Sequence, residues 1–183
     1  MLSRDILVDV FDEENIITLD FDDAVSLGLS ELDALLLSHV GLPRDIGTAF
    51  TTELEGSPGL FSVQPLDTPD GTSNAAIFLG APGRKQMMRY FLDVKNSLVV
   101  LCSLDDANPA AEVINSSFSN FVDFIHHIGV FYQAEGMSPD EERRSADELA
   151  EHLRERDPYA FREPKTWWSM AISTIVDQTE GGS

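Results

Sequence analysis

Three carboxylates follow a short apolar run near the start of the chain, in the stretch IITLDFDDAV at residues 16–25. In one class of phosphoryl-transfer enzymes, an Asp at the end of a strand is the nucleophile and an Asp two residues later is the acid/base. A second stretch, LVVLCSLDDAN at residues 98–108, offers later acids that would hold Mg²⁺ in such an enzyme. The residue types therefore raise the hypothesis of a metal-dependent phosphohydrolase that uses Asp20 and Asp22, with Asp23 beside them.

The elements expected around these acids do not favour that hypothesis. The chemistry requires parallel strands, which need crossover connections that are usually helices. Between Phe50 and Leu104 the sequence has Gly- and Pro-rich turns and no long amphipathic stretch. Asp23 and Ala24 also stand where haloacid-dehalogenase-like hydrolases carry a phosphate-binding threonine. We therefore keep the phosphohydrolase as the less favoured alternative and predict no catalytic residues.

The histidines give no stronger signal for a metal or cofactor. His126 and His127 are adjacent, and neighbouring side chains on a helix point about 100° apart, so the two cannot bind one metal from one helix face. Glu148 and His152 have the i,i+4 spacing of a metal pair, but an exposed ion pair is the commoner outcome of that spacing. No HExxH, GxSxG, Walker or GxGxxG motif is present. The sequence predicts neither a metal site nor a cofactor.

Charge is more informative about partners. The chain has 32 Asp and Glu against 12 Lys and Arg, a formal net charge of −20. Such a protein repels nucleic acid and anionic membrane surfaces. The charge serves either to attract a basic protein partner from a distance or only to keep the protein soluble, and charge alone does not decide between the two. The candidate partner-binding residues are the six acids of the N-terminal region: Asp12, Glu13, Glu14, Asp20, Asp22 and Asp23.

Length and composition are those of one α+β domain. The 183 residues and 43% apolar content fit a single domain over residues 1–183, with residues 177–183 as a flexible tail. No apolar run reaches the ~18 residues of a membrane span, and the first residues do not form a secretory signal. Cys102 is the only cysteine, so no internal disulfide forms. These features favour a cytoplasmic protein, and they leave its oligomeric state open.

The order of predicted elements supports that fold class. Ser30 is a good N-cap for a helix that ends at Gly41, with Leu32, Leu35, Leu36 and Val40 as its apolar stripe. Strands and turns follow from Pro43 to Asp106, including a hairpin in RYFLDVKNSLVVL. Three helices complete the chain, capped near Asn115–Ser117 and at Ser138, and opened by Pro164. We expect a central, mostly antiparallel or mixed sheet with an N-terminal helix and three C-terminal helices around it.

Several short motifs in this order resemble one known family. The segments LLLSHVGLP, IFLGAPG, YFLDVKNSLVVL, NSSFSNFVDFI, RDPYAF and WWSMAI run from about Leu32 to Ile175. Their shared order and spacing resemble the SUKH superfamily of immunity proteins, most closely its fourth subfamily. The chain departs from the family pattern at Asn96 and Ser97, where a hairpin glycine is usual, and between Thr51 and Ser73.

The resemblance implies a non-catalytic role. Proteins of this superfamily neutralise bacterial toxins by binding them, often nuclease or nucleic-acid deaminase domains of polymorphic toxin systems. We therefore expect a basic toxin domain as the partner, and a protein-interaction module of the same fold without a toxin is the alternative. Of the adjacent Trp167 and Trp168, we expect one to pack inward and the other to lie at the boundary, where it is an interface candidate.

Overall fold

The fold contains a five-stranded antiparallel sheet, and helices from both ends of the chain pack against one of its faces. The computed structural model describes residues 3–54, 59–67, 73–83, 87–105, 110–134 and 136–180. No helix in these ranges is both long enough and apolar enough to cross a membrane.

The N-terminal region consists of short helices that cap one end of the core. Their bounds are α1 Arg4–Phe11, a 3-10 helix Glu13–Asn15, α2 Phe21–Ser26 and α3 Glu31–Leu35, which continues as a π-helical turn Leu36–Val40. Ser30 accepts a hydrogen bond from the backbone N–H of Asp33 and so caps α3 as predicted. Gly41, at φ 84°, ends the π-helical turn in a conformation that glycine adopts without strain.

The described residues form two β-sheets. A two-residue strand β1, Ile16–Ile17, pairs with β2, Leu42–Pro43. The main sheet contains β3 Val63–Asp67, β4 Ser73–Gly80, β5 Met88–Asp93, β6 Leu98–Ser103 and β7 Ala111–Asn115, in that spatial order. Every pairing in it is antiparallel. The predicted hairpin is β5–β6, and Ser97 rather than Asn96 has the positive φ, 56°, in its turn.

The two faces of the sheet are both covered, which follows from the alternation of side chains along each strand. One face belongs to the main core and carries Ile77, Leu79, Tyr90, Leu92, Val99, Leu101 and Ile114. The other carries a small cluster of Ala76, Phe78 and Phe91, against which Leu54 and Leu66 pack. In the segment from Thr51 to Ser73, which departs from the family pattern, Leu54 thus packs on this second face and Leu66 belongs to β3.

Three long helices form the C-terminal part, as predicted: α4 Phe118–Gln133, α5 Pro139–Arg156 and α6 Trp167–Glu180. Ser117 caps α4 through the N–H of Asn120, and the Glu141 carboxylate accepts hydrogen bonds from Ser138 at the start of α5. A 3-10 helix at Pro158–Phe161 precedes α6, which begins at Trp167 rather than at Pro164. The helix continues to Glu180, four residues into the stretch expected to be a tail, and residues 181–183 lie outside the described residues.

The α+β prediction is confirmed, with three short helices in place of the single N-terminal helix expected. One part of that prediction is wrong: of the stripe assigned to this helix, Val40 is buried and Leu36 is partly buried, but Leu32 and Leu35 are exposed. Leu32 is 63% exposed and Leu35 is 41% exposed, while Asp33, Ala34 and Leu37 face the interior. The reason lies in the contacts of Asp33, described below.

Candidate partner-binding surface

Asp20 begins a helix and does not end a strand of the sheet. Strand β1 stops at Ile17, and the Oδ1 atom of Asp20 accepts hydrogen bonds from the backbone N–H groups of Asp22, at 2.9 Å, and Asp23, at 3.4 Å. A side-chain acceptor at this position satisfies N–H groups that a helix leaves free in its first turn. Asp20 therefore does not have the strand-end position that the phosphohydrolase hypothesis requires, because it is the N-cap of α2.

The surroundings of Asp20 also differ from those of a phosphohydrolase site. The main sheet is antiparallel throughout, and Asp20 lies outside it. Of the second acidic stretch, Asp105 follows β6, whereas Asp106 lies outside the described residues. Within the described ranges, the one group of three His, Cys, Asp or Glu side chains close enough to share a metal does not include Asp20, Asp22 or Asp23.

The other three candidate acids form the turn between α1 and β1. Asp12 follows α1 with φ 63°, and Glu13 and Glu14 lie in the 3-10 helix. All three side chains are exposed, as are those of Asp20, Asp22 and Asp23. Glu13 pairs with Arg4 at 3.4 Å, with most of the carboxylate in solvent. We call these six residues, Asp12, Glu13, Glu14, Asp20, Asp22 and Asp23, the N-terminal acidic surface.

The negative charge is concentrated in this part of the chain. Residues 1–43 contain ten Asp and Glu but only one Lys or Arg, so they contribute −9 of the net −20. Among the described residues, Arg4–Glu13 is the only ion pair with a Lys or Arg that the N-terminal acidic surface makes. Glu13 pairs with Arg4 and Asp20 caps α2, so the other four carboxylates make no ion pair or side-chain hydrogen bond with a described residue.

Exposed aliphatic side chains accompany these acids, because Asp33 fixes the rotation of α3. The Asp33 carboxylate is only 4% exposed and accepts hydrogen bonds from the hydroxyls of Ser30 and of Ser97 in the β5–β6 turn. Burying this polar group and Ala34 turns Leu32 and Leu35 outward. The signal was present in the sequence as two hydroxyl residues and an acid, but Ser97 is 64 residues from Asp33, so local spacing could not join them.

A second candidate surface is an apolar groove between α4 and α6. Its cavity has a volume of about 410 Å³, and no charged side chain lines it. Tyr132 is 44% exposed and Met170 is 48% exposed at its edge. Both tryptophans are buried, Trp167 at 8% and Trp168 at 1% exposure, so the boundary position expected for one of them is wrong. Trp168 instead donates a hydrogen bond from Nε1 to Asn115 Oδ1 at 2.9 Å.

The histidines on α4 and α5 adopt an arrangement that local spacing did not reveal. His126 is buried, which lowers the pKa of its imidazole, while His127 is partly exposed. His152 on α5 contacts Asp123 on α4, so its partner lies on another helix and not four residues away on its own helix. Asp123, His127 and His152 are the described residues that could hold a metal.

Comparison with known proteins relates the chain to one protein family. A family model described as SUKH-4 immunity protein matches residues 2–174, which leaves out Met1 and the last nine residues. The matched segment contains the N-terminal acidic surface, the whole sheet and most of the C-terminal helices. No curated protein and no solved structure matches the chain.

Proposed function

Because the chain belongs to the SUKH-4 immunity protein family, we propose that it neutralises a toxin domain by binding it through the N-terminal acidic surface. The toxin partner has a basic surface, as nuclease and nucleic-acid deaminase domains do where they hold their substrate. Binding takes place in the cytoplasm, and the protein acts as one domain without catalysis of its own.

The observation that carries this proposal is the combination of unpaired acids and outward leucines in residues 1–43. Leu32 and Leu35 are exposed on α3, and Val25 is 45% exposed at the end of α2. Protein interfaces commonly have an apolar centre within a polar rim. The leucines can supply the centre, because burial of a leucine side chain contributes roughly 1.5–3 kcal/mol.

The acids act mainly on the rate of association. Charges at the rim of an interface steer a partner of opposite sign and raise the association rate more than they raise affinity. The apolar groove between α4 and α6 has no charge with which to do this, so the N-terminal acidic surface is the better site for a basic partner.

Co-expression with the toxin domain encoded by the adjacent gene tests the role. We expect cells that produce both proteins to survive, the two proteins to co-purify, and the purified toxin to lose activity when this protein is in excess. A toxin domain that stays fully active under those conditions contradicts the proposal. In that case a protein-interaction module without a toxin partner becomes the better account of the same fold.

A matched pair of charge variants tests the surface. The first variant carries Asp12→Asn, Glu14→Gln, Asp22→Asn and Asp23→Asn, which leave the Asp20 cap and the Arg4–Glu13 pair in place. The control carries Asp147→Asn, Glu148→Gln, Glu151→Gln and Glu155→Gln, all exposed on α5. Each set lowers the net charge from −20 to −16. We expect only the first variant to lose protection against the toxin. An equal loss in both variants would mean that the position of the charges on the surface does not matter.

A second pair tests the apolar centre. Leu32→Ala with Leu35→Ala removes the outward leucines, and we expect at least a tenfold loss of affinity for the toxin domain with little loss of stability. The control, Tyr132→Ala with Met170→Ala, removes exposed side chains from the groove between α4 and α6. If the control weakens binding and the leucine variant does not, the groove and not the N-terminal acidic surface is the docking site.

A further inference from the structure

Three potential metal ligands meet where α4 and α5 pack against each other. Asp123 and His127 lie one turn apart on α4, and His152 approaches them from α5. The Nε2 atom of His152 is 3.1 Å from Asp123 Oδ2, and the Nδ1 atom of His127 is 3.5 Å from the same oxygen. One ligand atom from each residue lies within 4.8 Å of the other two. We propose that this cluster binds a divalent transition metal ion of the Zn²⁺ type.

The distances suit a tetrahedral ion. With bonds of about 2.0–2.1 Å to nitrogen and oxygen, neighbouring ligand atoms of a tetrahedral zinc site lie about 3.3 Å apart. The distance from His152 Nε2 to Asp123 Oδ2, 3.1 Å, is close to that value. The rings of His127 and His152 have centroids 4.0 Å apart, so the two imidazoles lie side by side. Because one ligand atom of each residue lies within 4.8 Å of the other two, rotation of the side chains would close the ligands around one ion.

Burial and neighbouring contacts support the same assignment. The Asp123 side chain is 14% exposed, whereas those of His127 and His152 are 32% and 42% exposed, which leaves one side open for a water ligand. His127 Nδ1 lies 2.9 Å from the backbone oxygen of Asp123. When Nδ1 carries the proton and donates it there, the Nε2 lone pair is free to bind metal, as is usual for metal-binding histidines.

Arg156 is the competing cation at this site. Its Nε atom is 3.8 Å from Asp123 Oδ2, and its side chain is 43% exposed. A long, exposed side chain can leave the carboxylate at small cost, since surface ion pairs contribute little to stability. The net charge of −20 also raises the local concentration of cations. The proposed metal site does not depend on the proposed toxin-binding function.

Cobalt provides a direct test on the full chain without a polyhistidine tag. Co²⁺ is titrated in the presence of excess Mg²⁺, which prefers oxygen ligands and occupies loose carboxylate sites. The visible absorption of Co²⁺ reports its coordination. Zn²⁺ is then added to displace the Co²⁺. We expect one Co²⁺ per chain and release by Zn²⁺. His127→Gln and His152→Gln are expected to weaken Co²⁺ binding at least tenfold. His39→Gln, which changes an exposed histidine outside the cluster, serves as the control and keeps wild-type affinity.

Several results would overturn the site. The site is contradicted if the protein does not bind Co²⁺, if excess Mg²⁺ prevents Co²⁺ binding, or if the wild type and both cluster variants bind Co²⁺ with equal affinity. Asp123, His127 and His152 would then be a hydrogen-bonded group only. Circular dichroism and urea unfolding in the presence of EDTA verify that the variants fold. Should either fail to fold, Arg156→Gln decides: removal of the competing cation should tighten Co²⁺ binding several-fold, and unchanged affinity contradicts the site.

Discussion

Aspartate has two different roles in this chain, and burial separates them. Asp33, Asp93 and Asp157 are 4%, 4% and 1% exposed, and each carboxylate accepts at least two hydrogen bonds. A buried carboxylate is tolerated only when donors replace the water it has lost. The acids of the N-terminal acidic surface keep their water and are available to a partner. Residue type alone did not distinguish these two groups.

Asp157 joins the end of α5 to the start of α4, and its removal should destabilise the protein strongly. Its carboxylate accepts from Asn115 Nδ2 at 3.2 Å and from the backbone N–H and hydroxyl of Ser116, each at 2.8 Å. We expect Asp157→Ala to lower the free energy of unfolding by about 2–4 kcal/mol, because buried donors lose a charged acceptor. Urea denaturation measures the change. Asp147→Ala, exposed on the same helix, should change it by less than about 1 kcal/mol; similar losses would contradict the role of Asp157.

Cys102 lies in β6, which is paired with a strand on each side, and its thiol should react slowly. Burial raises the pKa of its thiol to about 11, so very little thiolate is present near pH 8. The higher intrinsic nucleophilicity of such a thiolate offsets only part of this loss. We expect reaction with a disulfide reagent at pH 8 to be more than tenfold slower in the native protein than in urea. Equal rates in the two states would mean that the thiol is not shielded by the fold.

Local sequence signals located the helices but not the faces that they bury. Ser30, Ser117 and Ser138 were predicted as caps, and each begins a helix, since a capping hydrogen bond spans only three residues. The inward face of α3 was predicted wrongly, because it is set by Asp33 and Ser97. Asp123 and His152 are 29 residues apart in sequence and lie on two helices, so no short motif could contain both. The N-terminal acids were identified from sequence, whereas the leucines beside them required the structure.

Helix α1 is held in place by a close approach to α4 at Gly129. A Cβ atom added to Gly129 would lie 2.1 Å from the ring of Phe11, which is 3% exposed at the end of α1. Only a glycine in the middle of α4 leaves room for this ring. Since Asp12, Glu13 and Glu14 follow Phe11 directly, the packing of one ring against α4 also positions half of the N-terminal acidic surface.

Gly129→Ala should therefore destabilise the protein although alanine favours helices. The helical preference gains about 1 kcal/mol, but overpacking costs about 1–3 kcal/mol and displaces α1. We expect a lower urea midpoint and faster amide exchange in residues 4–11. Gly59→Ala, where a Cβ meets open space, is the control.

A second substitution tests the cause of that loss. Phe11→Leu removes the distal ring atoms, so Gly129→Ala should cost much less in a Phe11→Leu background than in the wild type. If the two substitutions are additive in free energy of unfolding, Phe11 is not what excludes a Cβ at Gly129.

At the scale of the whole molecule, charge is distributed unevenly along the chain and over the fold. The first 43 residues hold ten acids and one arginine, whereas α5 carries seven acids and four arginines. We therefore expect a basic partner to be steered mainly toward the N-terminal helices, where few cations offset the acids. The net charge describes the molecule as a whole, but steering depends on where that charge lies.

Salt should separate these two contributions in the kinetics of toxin binding. Screening shortens the reach of surface charges from tens of Å at low ionic strength to about 3 Å at 1 M. We expect the association rate of the wild type to fall steeply with salt in stopped-flow mixing, with little change in the dissociation rate. The quadruple variant at Asp12, Glu14, Asp22 and Asp23 should show a shallower dependence. The α5 variant, also at −16, should retain the wild-type slope. Equal slopes for the two variants would mean that total charge, and not the N-terminal acidic surface, attracts the partner.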